Sequence, residues 1–227
     1  MKKFVINLTG LYIEINSKYD YTFDKCKDFI VDEYDRIDLR VECQKDDFVL
    51  IDDSLKEDYQ EYLAINRIIS SQLFNFNRIL VHGAAISYND KGFLFMAESG
   101  VGKSTHIKLL RDNYDGVDII NGDKPIIDTN GYIYGTPWAG KENWTKNVSY
   151  KLSSIVFLYR GNTNLVKKIN SSDSITKLLN GSFVENGIDK AVDILNTALK
   201  DVSFFELYCT KSLEAANVSF NNILNTK

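Results

Sequence analysis

Residues 92–105 read, in order, as an apolar strand, a glycine-rich turn and the start of a helix, and nothing else in the 227-residue chain constrains its fold as tightly. The segment is Gly92-Phe93-Leu94-Phe95-Met96-Ala97-Glu98-Ser99-Gly100-Val101-Gly102-Lys103-Ser104-Thr105. In such a turn, backbone N–H groups at a helix N-terminus point at phosphate oxygens, the lysine reaches the terminal phosphates and the next hydroxyl can ligate magnesium. Glu98, Ser99, Gly100, Val101, Gly102, Lys103, Ser104 and Thr105 are therefore the candidate nucleotide cradle, with ATP and Mg2+ as expected ligands and Ser104 as a metal ligand. The consensus for this loop has glycine where this chain has Ala97. The two later glycines, free to take positive φ, and the whole lysine-hydroxyl end are kept.

At this length the chain can bury a full core as one large domain or one domain with an appendage. The expected division is a strand-rich N-terminal subdomain over residues 1–55 and a phosphate-loop core over residues 56–227. Met1-Lys2-Lys3 is followed within a few residues by polar side chains, so no secretory signal is expected, and no apolar run is long enough for a membrane span. Three scattered cysteines (Cys26, Cys43, Cys209) argue against a disulfide framework and for a reducing cytoplasm. Two histidines make a zinc site improbable. A pI near 5.3 lacks the basic footprint of a nucleic-acid binder.

The net charge of −4 is unevenly spread. Residues 20–61 hold 15 acids against 6 bases, whereas residues 131–170 hold six bases (Lys141, Lys146, Lys151, Arg160, Lys167, Lys168) and one acid, Glu142. A basic stretch downstream of a phosphate loop could face the triphosphate or an acidic substrate; solvated strand faces are the alternative.

Hydrophobic patterning places short strands within residues 3–15, 37–43 and 47–51 and a packed helix over residues 56–75. Residues 78–87 and 93–96 read as strands joined at Asn89-Asp90-Lys91-Gly92, and residues 103–113 as the helix after the loop. A strand over 117–120 ends at Asn121-Gly122-Asp123, and a hairpin turns at Asn130-Gly131. The continuous apolar run 152–159 reads as a central strand; helices are expected at 172–179, 187–199 and 213–224, with a strand at 203–209. Hairpins thus alternate with helices, which predicts an α/β fold with a mixed β-sheet and helices packed on it.

Three further places carry candidate chemistry. Asp123, at the end of the strand after the loop helix, can hold Mg2+ or orient an attacking hydroxyl, or else serve only its turn. His82, in Val81-His82-Gly83, is either a catalytic neighbour of the phosphates or a hydrogen-bonded core residue. The loop Gly135-Thr136-Pro137-Trp138-Ala139-Gly140-Lys141-Glu142-Asn143-Trp144 can close over a substrate with Lys141 supplying charge, or plug the core with its tryptophans. His106, one turn into the loop helix, reads as packing or capping.

Val81-His82-Gly83, Ser99-Gly100-Val101-Gly102-Lys103-Ser104 and Asn121-Gly122-Asp123 together resemble the catalytic domain of HPr kinase/phosphorylase and its small HPr-kinase-like relatives, with the ATP-dependent phosphoenolpyruvate carboxykinases as more distant kin. Gly135 through Lys141 also looks like the Thr-Pro-Trp-x-Gly-Lys loop of the small relatives, which are commonly peptide or small-molecule kinases of bacterial biosynthetic gene clusters. The resemblance spans residues 78–160 by motif and the flanks by layout only.

It implies an ATP- and Mg-dependent phosphotransferase acting on a hydroxyl of a peptide, protein or small molecule. Lys103 would sit on the β- and γ-phosphates, Ser104 and Asp123 on the metal, and Asp123 on the hydroxyl proton, with His82 and Lys141 assisting. It also implies homo-oligomeric assembly. The family has two adjacent aspartates where this chain has Gly122-Asp123, and its HPr-docking segment has no clear counterpart, so HPr itself is a poor expectation for the acceptor. The missing carboxylate motivates a second reading, an ATP-binding regulatory or scaffold module without turnover. Carboxykinase activity is disfavoured by the short chain and by the absence of that site's extra histidine and arginine.

Overall fold

The computed structural model describes residues 1–48, 51–180, 182 and 187–225. The chain is mixed α/β, as its alternation of hairpins and helices predicts. Strands β1 (Lys2–Leu8) and β2 (Leu11–Ser17) form an antiparallel hairpin through Thr9 and Gly10, both at positive φ, and β3 (Leu39–Glu42) adds parallel to β2. Helices α1 (Asp20–Cys26) and α2 (Glu57–Gln72) pack with this small sheet. Of the strand expected at residues 47–51, residues 47 and 48 belong instead to the 3-10 turn Lys45–Phe48, and residues 49 and 50 lie outside the described residues.

Among the described residues the large sheet has nine strands: β4 (Arg78–Leu80), β5 (Ala84–Tyr88), β6 (Lys91–Met96), β7 (Asp118–Asn121), β8 (Ile126–Asp128), β9 (Tyr132–Tyr134), β10 (Ser149–Arg160), β11 (Leu165–Ile169) and β12 (Ser203–Cys209). The twelve-residue β10 is its axis. On one side β10 runs parallel to β6, which continues antiparallel to β5 and then β7. On the other side its first residues pair with β9, leading to β8 and β4, and residues 154–160 pair in parallel with β12, leading to β11. The tight turn from β5 to β6 has Asn89 and Asp90 both at positive φ, which matches the right-handed twist of the strands it joins.

Successive side chains of the central strands alternate between two cores. Leu94, Met96, Ile155 and Phe157 face the helices α4 (Ser171–Asn180) and α5 (Ile188–Ala198). Phe93, Phe95, Val156 and Leu158 face α3 (Lys103–Asn113) and α6 (Leu213–Ser219). A third core joins β1, β2 and α2 to Leu80, Ile126 and Trp138 of the main body. Burying each such side chain contributes about 1.5–3 kcal/mol, so covering both sheet faces fixes the register of β6 and β10.

The single strand expected over residues 78–87 is two strands with different partners. β4 pairs with β8, β5 pairs with β6 and β7, and Val81-His82-Gly83 crosses between them. The crossing is stitched to the β7–β8 connection, with Val81 N–H donating to Pro125 O (3.0 Å) and Gly83 N–H donating to Asp123 O (2.9 Å). Glycine is required at 83, since a Cβ there would lie 2.6 Å from Leu94 Cδ1 and 2.9 Å from Phe95 O. No helix among the described residues is long and apolar enough to cross a membrane.

Candidate active site at the phosphate loop

The parallel strands β6, β10 and β12 end side by side, and the chain leaves β6 into residues 97–102 before starting α3 at Lys103. Carboxyl ends of parallel strands form the crevice in which α/β folds bind ligands. Gly100 (φ 80°) and Gly102 (φ 121°) take positive-φ conformations that other residues rarely adopt, while Ala97 is not among the positive-φ residues and packs against the α3–α6 core. The substitution of alanine for the consensus glycine therefore costs the loop no backbone strain.

Gly102 caps α3 without any side-chain hydrogen bond. The first intrahelical bond is His106 N–H to Gly102 O (3.0 Å), which leaves the N–H groups of Lys103, Ser104 and Thr105 without helical acceptors. They face the positive end of the helix dipole and form an anion cradle. Arg160, at the end of β10, donates to Gly100 O (2.5 Å) and Val101 O (3.4 Å), and the Lys211 stem lies over Gly102. Glu98 and Ser99 are exposed at the loop entrance, Ser104 is half-buried and Thr105 is exposed.

Asp123 is the hub opposite the cradle. Its Oδ1 lies 3.4 Å from His82 Nε2 and 3.9 Å from Lys103 Nζ, and its Oδ2 accepts from Lys124 Nζ at 3.0 Å. Lys103 and Asp123 side chains are only 12% and 19% exposed, so this attraction is little screened. Burial lowers the Lys103 pKa, and the charges of Asp123 and Glu142 oppose that fall. Burial, then the Lys103 charge, lowers the His82 pKa, with Asp123 opposing. His82 is thus held toward its neutral form beside a carboxylate and a lysine.

The fully buried Asn121 sets this geometry. Its Oδ1 accepts the N–H groups of Asp123 (2.8 Å) and Lys124 (2.7 Å), and its Nδ2 donates to Thr136 O (3.0 Å) and Trp138 O (3.3 Å). One side chain therefore ties the Asp123 turn to the 135–144 loop. In that loop Trp138 is 1% exposed and sits in the third core, so it is the plug that sequence offered as one alternative. Gly140 packs against Asp123, and Glu142 lies beside Gly140. Lys141 is exposed on the same turn and pairs with no charged group among the described residues.

The structure thus brings Lys103, Asp123 and His82 together, with Ser104 adjacent in chain, and leaves Lys141 outside that contact. Sequence reasoning assigned no role to Asn121, Lys124, Lys211 or Glu142, and offered Arg160 only as one of six bases that could face the triphosphate. The Asn-Gly-Asp turn was a readable signal for Asn121, because an Asx side chain commonly bonds backbone two residues on. Nothing local marks the others.

The donor set suits a magnesium-nucleotide complex: open helix N–H groups, one buried lysine, one hydroxyl and one carboxylate. Among the described residues no three His, Cys, Asp or Glu side chains converge, so a metal here needs phosphate oxygens as ligands.

His106 lies outside this chemistry. It is 3% exposed, its Nε2 is 2.9 Å from Ser219 Oγ on α6, and burial pushes its pKa from 6.5 down to about 4. Between those values the unfolded chain binds a proton that the folded chain refuses, so its contribution to stability is intact above pH 6.5 and is lost as pH falls toward 4. Urea unfolding is expected to show a His106-dependent loss of about 2 kcal/mol between pH 7 and pH 5. His82 shifts stability with the same sign, so the His106 share is read as the difference from a His106→Gln variant, whose curve should be flatter.

No protein-family model and no curated protein matches the chain. Among solved structures, the Hpr(Ser) kinase/phosphatase from Coxiella burnetii is similar to it at 12% sequence identity and a TM-score of 0.34, over 64% of this chain and 96% of that one. A likeness of that size does not establish a shared family.

Proposed function

We propose that this protein is an ATP- and Mg2+-dependent phosphotransferase that transfers the γ-phosphoryl group to a hydroxyl on a peptide, protein or small molecule. The observation that carries the reading is the Lys103–Asp123 pair, 3.9 Å apart, at the open N-terminus of α3. Phosphoryl transfer asks a protein for positioning and charge neutralisation more than for covalent chemistry. The N–H groups of Lys103, Ser104 and Thr105 hold phosphate oxygens, and Lys103 Nζ neutralises charge on the β- and γ-phosphates. Ser104 Oγ and Asp123 would hold magnesium, which when bound adds charge neutralisation on the same oxygens. His82 and Lys124 keep Asp123 oriented from its other sides. Residues 135–144, anchored at Trp138, form the wall where an acceptor approaches, with exposed Lys141 available to an acidic one.

A second reading, a nucleotide-binding module without turnover, is favoured by one observation: Gly122 carries no carboxylate, and Trp144 lies against it, with Cβ 3.4 Å from where a side chain would start. The two readings separate when ATP binding is measured by calorimetry beside ATP consumption over a panel of hydroxyl compounds and serine peptides. The kinase reading predicts binding together with acceptor-stimulated consumption. Binding with no consumption across the panel would favour the module.

A further inference from the structure

Both oxygens of Asp123 already have close neighbours: Oδ1 lies 3.4 Å from His82 Nε2 and 3.9 Å from Lys103 Nζ, and Oδ2 accepts from Lys124 Nζ at 3.0 Å. A hydroxyl approaching the γ-phosphate would therefore share Asp123 with Lys103, Lys124 and the metal. Residue 122 supplies no second carboxylate, and Trp144 packs against it, with its Cβ 3.4 Å from where a side chain would start.

Two residues before that tryptophan, the chain brings another carboxylate to the neighbourhood of Asp123. The point where a Cβ on Gly140 would stand lies 3.4 Å from Asp123 Cβ, 3.6 Å from Asp123 Cγ and 3.6 Å from Glu142 Oε2. The Asp123 and Glu142 carboxyl groups therefore both lie against Gly140. The turn is held, since Asn143 N–H donates to Gly140 O (3.0 Å) and Asn143 Oδ1 accepts from Lys25 Nζ on α1 (2.6 Å). Glu142 itself is exposed and, among the described residues, makes no hydrogen bond or ion pair. Its field nonetheless reaches the buried ammonium of Lys103.

We propose that Glu142 is the general base for the acceptor hydroxyl, leaving Asp123 to the lysine and the metal. In the step, the acceptor O–H bond breaks and its proton passes to the Glu142 carboxylate. The acceptor oxygen forms a bond to the γ-phosphorus of ATP. The bond from that phosphorus to the β,γ-bridging oxygen breaks, and its electron pair leaves on ADP. Glu142 then returns its proton to solvent. The inference rests on the kinase reading and deepens it.

The test uses the full chain with water and with the most active hydroxyl acceptor of the panel, comparing wild type, Glu142→Gln and Glu142→Asp. Being exposed, residue 142 should tolerate all three without loss of folding, which thermal unfolding checks. Glu142→Gln is expected to bind MgATP within about twofold of wild type while consuming it about a hundredfold more slowly, with Glu142→Asp recovering part of the rate. Consumption by Glu142→Gln at the wild-type rate, or a loss of affinity that matches the loss of rate, overturns the proposal. Failure of the kinase reading looks different: a wild type that binds MgATP and consumes none of it with water or with any acceptor of the panel, which removes the base along with the reaction.

Discussion

Replacing Lys103 by alanine is expected to lower ATP-dependent phosphate release by about a thousandfold while leaving the protein folded. The size follows from where the charge sits. The ammonium is at the first residue of α3, mostly buried, and 3.9 Å from Asp123. A preorganised cation in a poorly solvated site stabilises the developing charge on a transferring phosphoryl group far more than a mobile surface lysine could. The fold should survive because Asp123 retains His82 and Lys124 as partners and Asn121 still holds its turn. The measurement is phosphate release at saturating ATP, with circular dichroism as the folding check. A Lys103→Ala protein releasing phosphate at the wild-type rate would remove the lysine from the site.

The largest loss of stability is expected at Trp138. Truncation to alanine should cost about 3–5 kcal/mol in urea unfolding, the range for emptying a buried aromatic site. Trp138 is among the largest fully buried side chains and stands where β1, β2 and α2 meet the main body. Its Nε1–H has no hydrogen-bond partner among the described residues, so Trp138→Phe, which fills most of the volume and removes that donor, should cost much less. Function should follow stability, because the segment that carries Gly140 and Glu142 is pinned by Trp138, by Asn121 and by the Tyr62 hydroxyl, which donates to Pro137 O at 3.0 Å. A Trp138→Ala protein as stable as Trp138→Phe would mean that this anchor does not hold the loop.

What the sequence revealed follows the reach of its signals. The start of α3 was legible to the residue because the glycines punctuate it, and β10 was legible because a buried central strand has no polar face to obscure its run. The break at residues 81–83 was not legible. Ile79, Leu80 and Val81 lead into Ala84, Ala85 and Ile86 with only His82 and Gly83 between them, and the break is decided by pairing with β8 on one side and β6 on the other. β11 was missed because Lys167 and Lys168 interrupt its apolar pattern on an outer strand.

The candidate site divides in the same way. Lys103 and Ser104 belong to a contiguous motif with one mechanism, and Asp123 ends the next strand, so all three are legible from the order of residues alone. Their company is not. Lys124 reads as an ordinary turn lysine, Arg160 as one of six scattered bases, and Glu142 as a lone acid in a basic stretch. Arg160 reaches the phosphate loop because it ends β10 beside β6, Lys124 reaches Asp123 through the turn that Asn121 holds, and Glu142 comes near Lys103 on the loop that Trp138 anchors between β9 and β10. The open choice between lid and plug for residues 135–144 resolves for the same reason: Trp138 is a plug by virtue of a core built largely from β1, β2 and α2, all distant in the chain.

The central claim is that the N-terminus of α3 holds nucleotide phosphate. Titrating MgATP into isotopically labelled protein, and following backbone amide resonances, tests it most directly. Saturable shifts are expected centred on Gly100, Gly102, Lys103, Ser104 and Thr105, with smaller ones at Asp123 and Arg160. No saturable shift at these amides, or shifts centred instead on the separate surface cleft of about 570 Å³ between β11 and α5, near Lys168, Asn196 and Phe204, would contradict it.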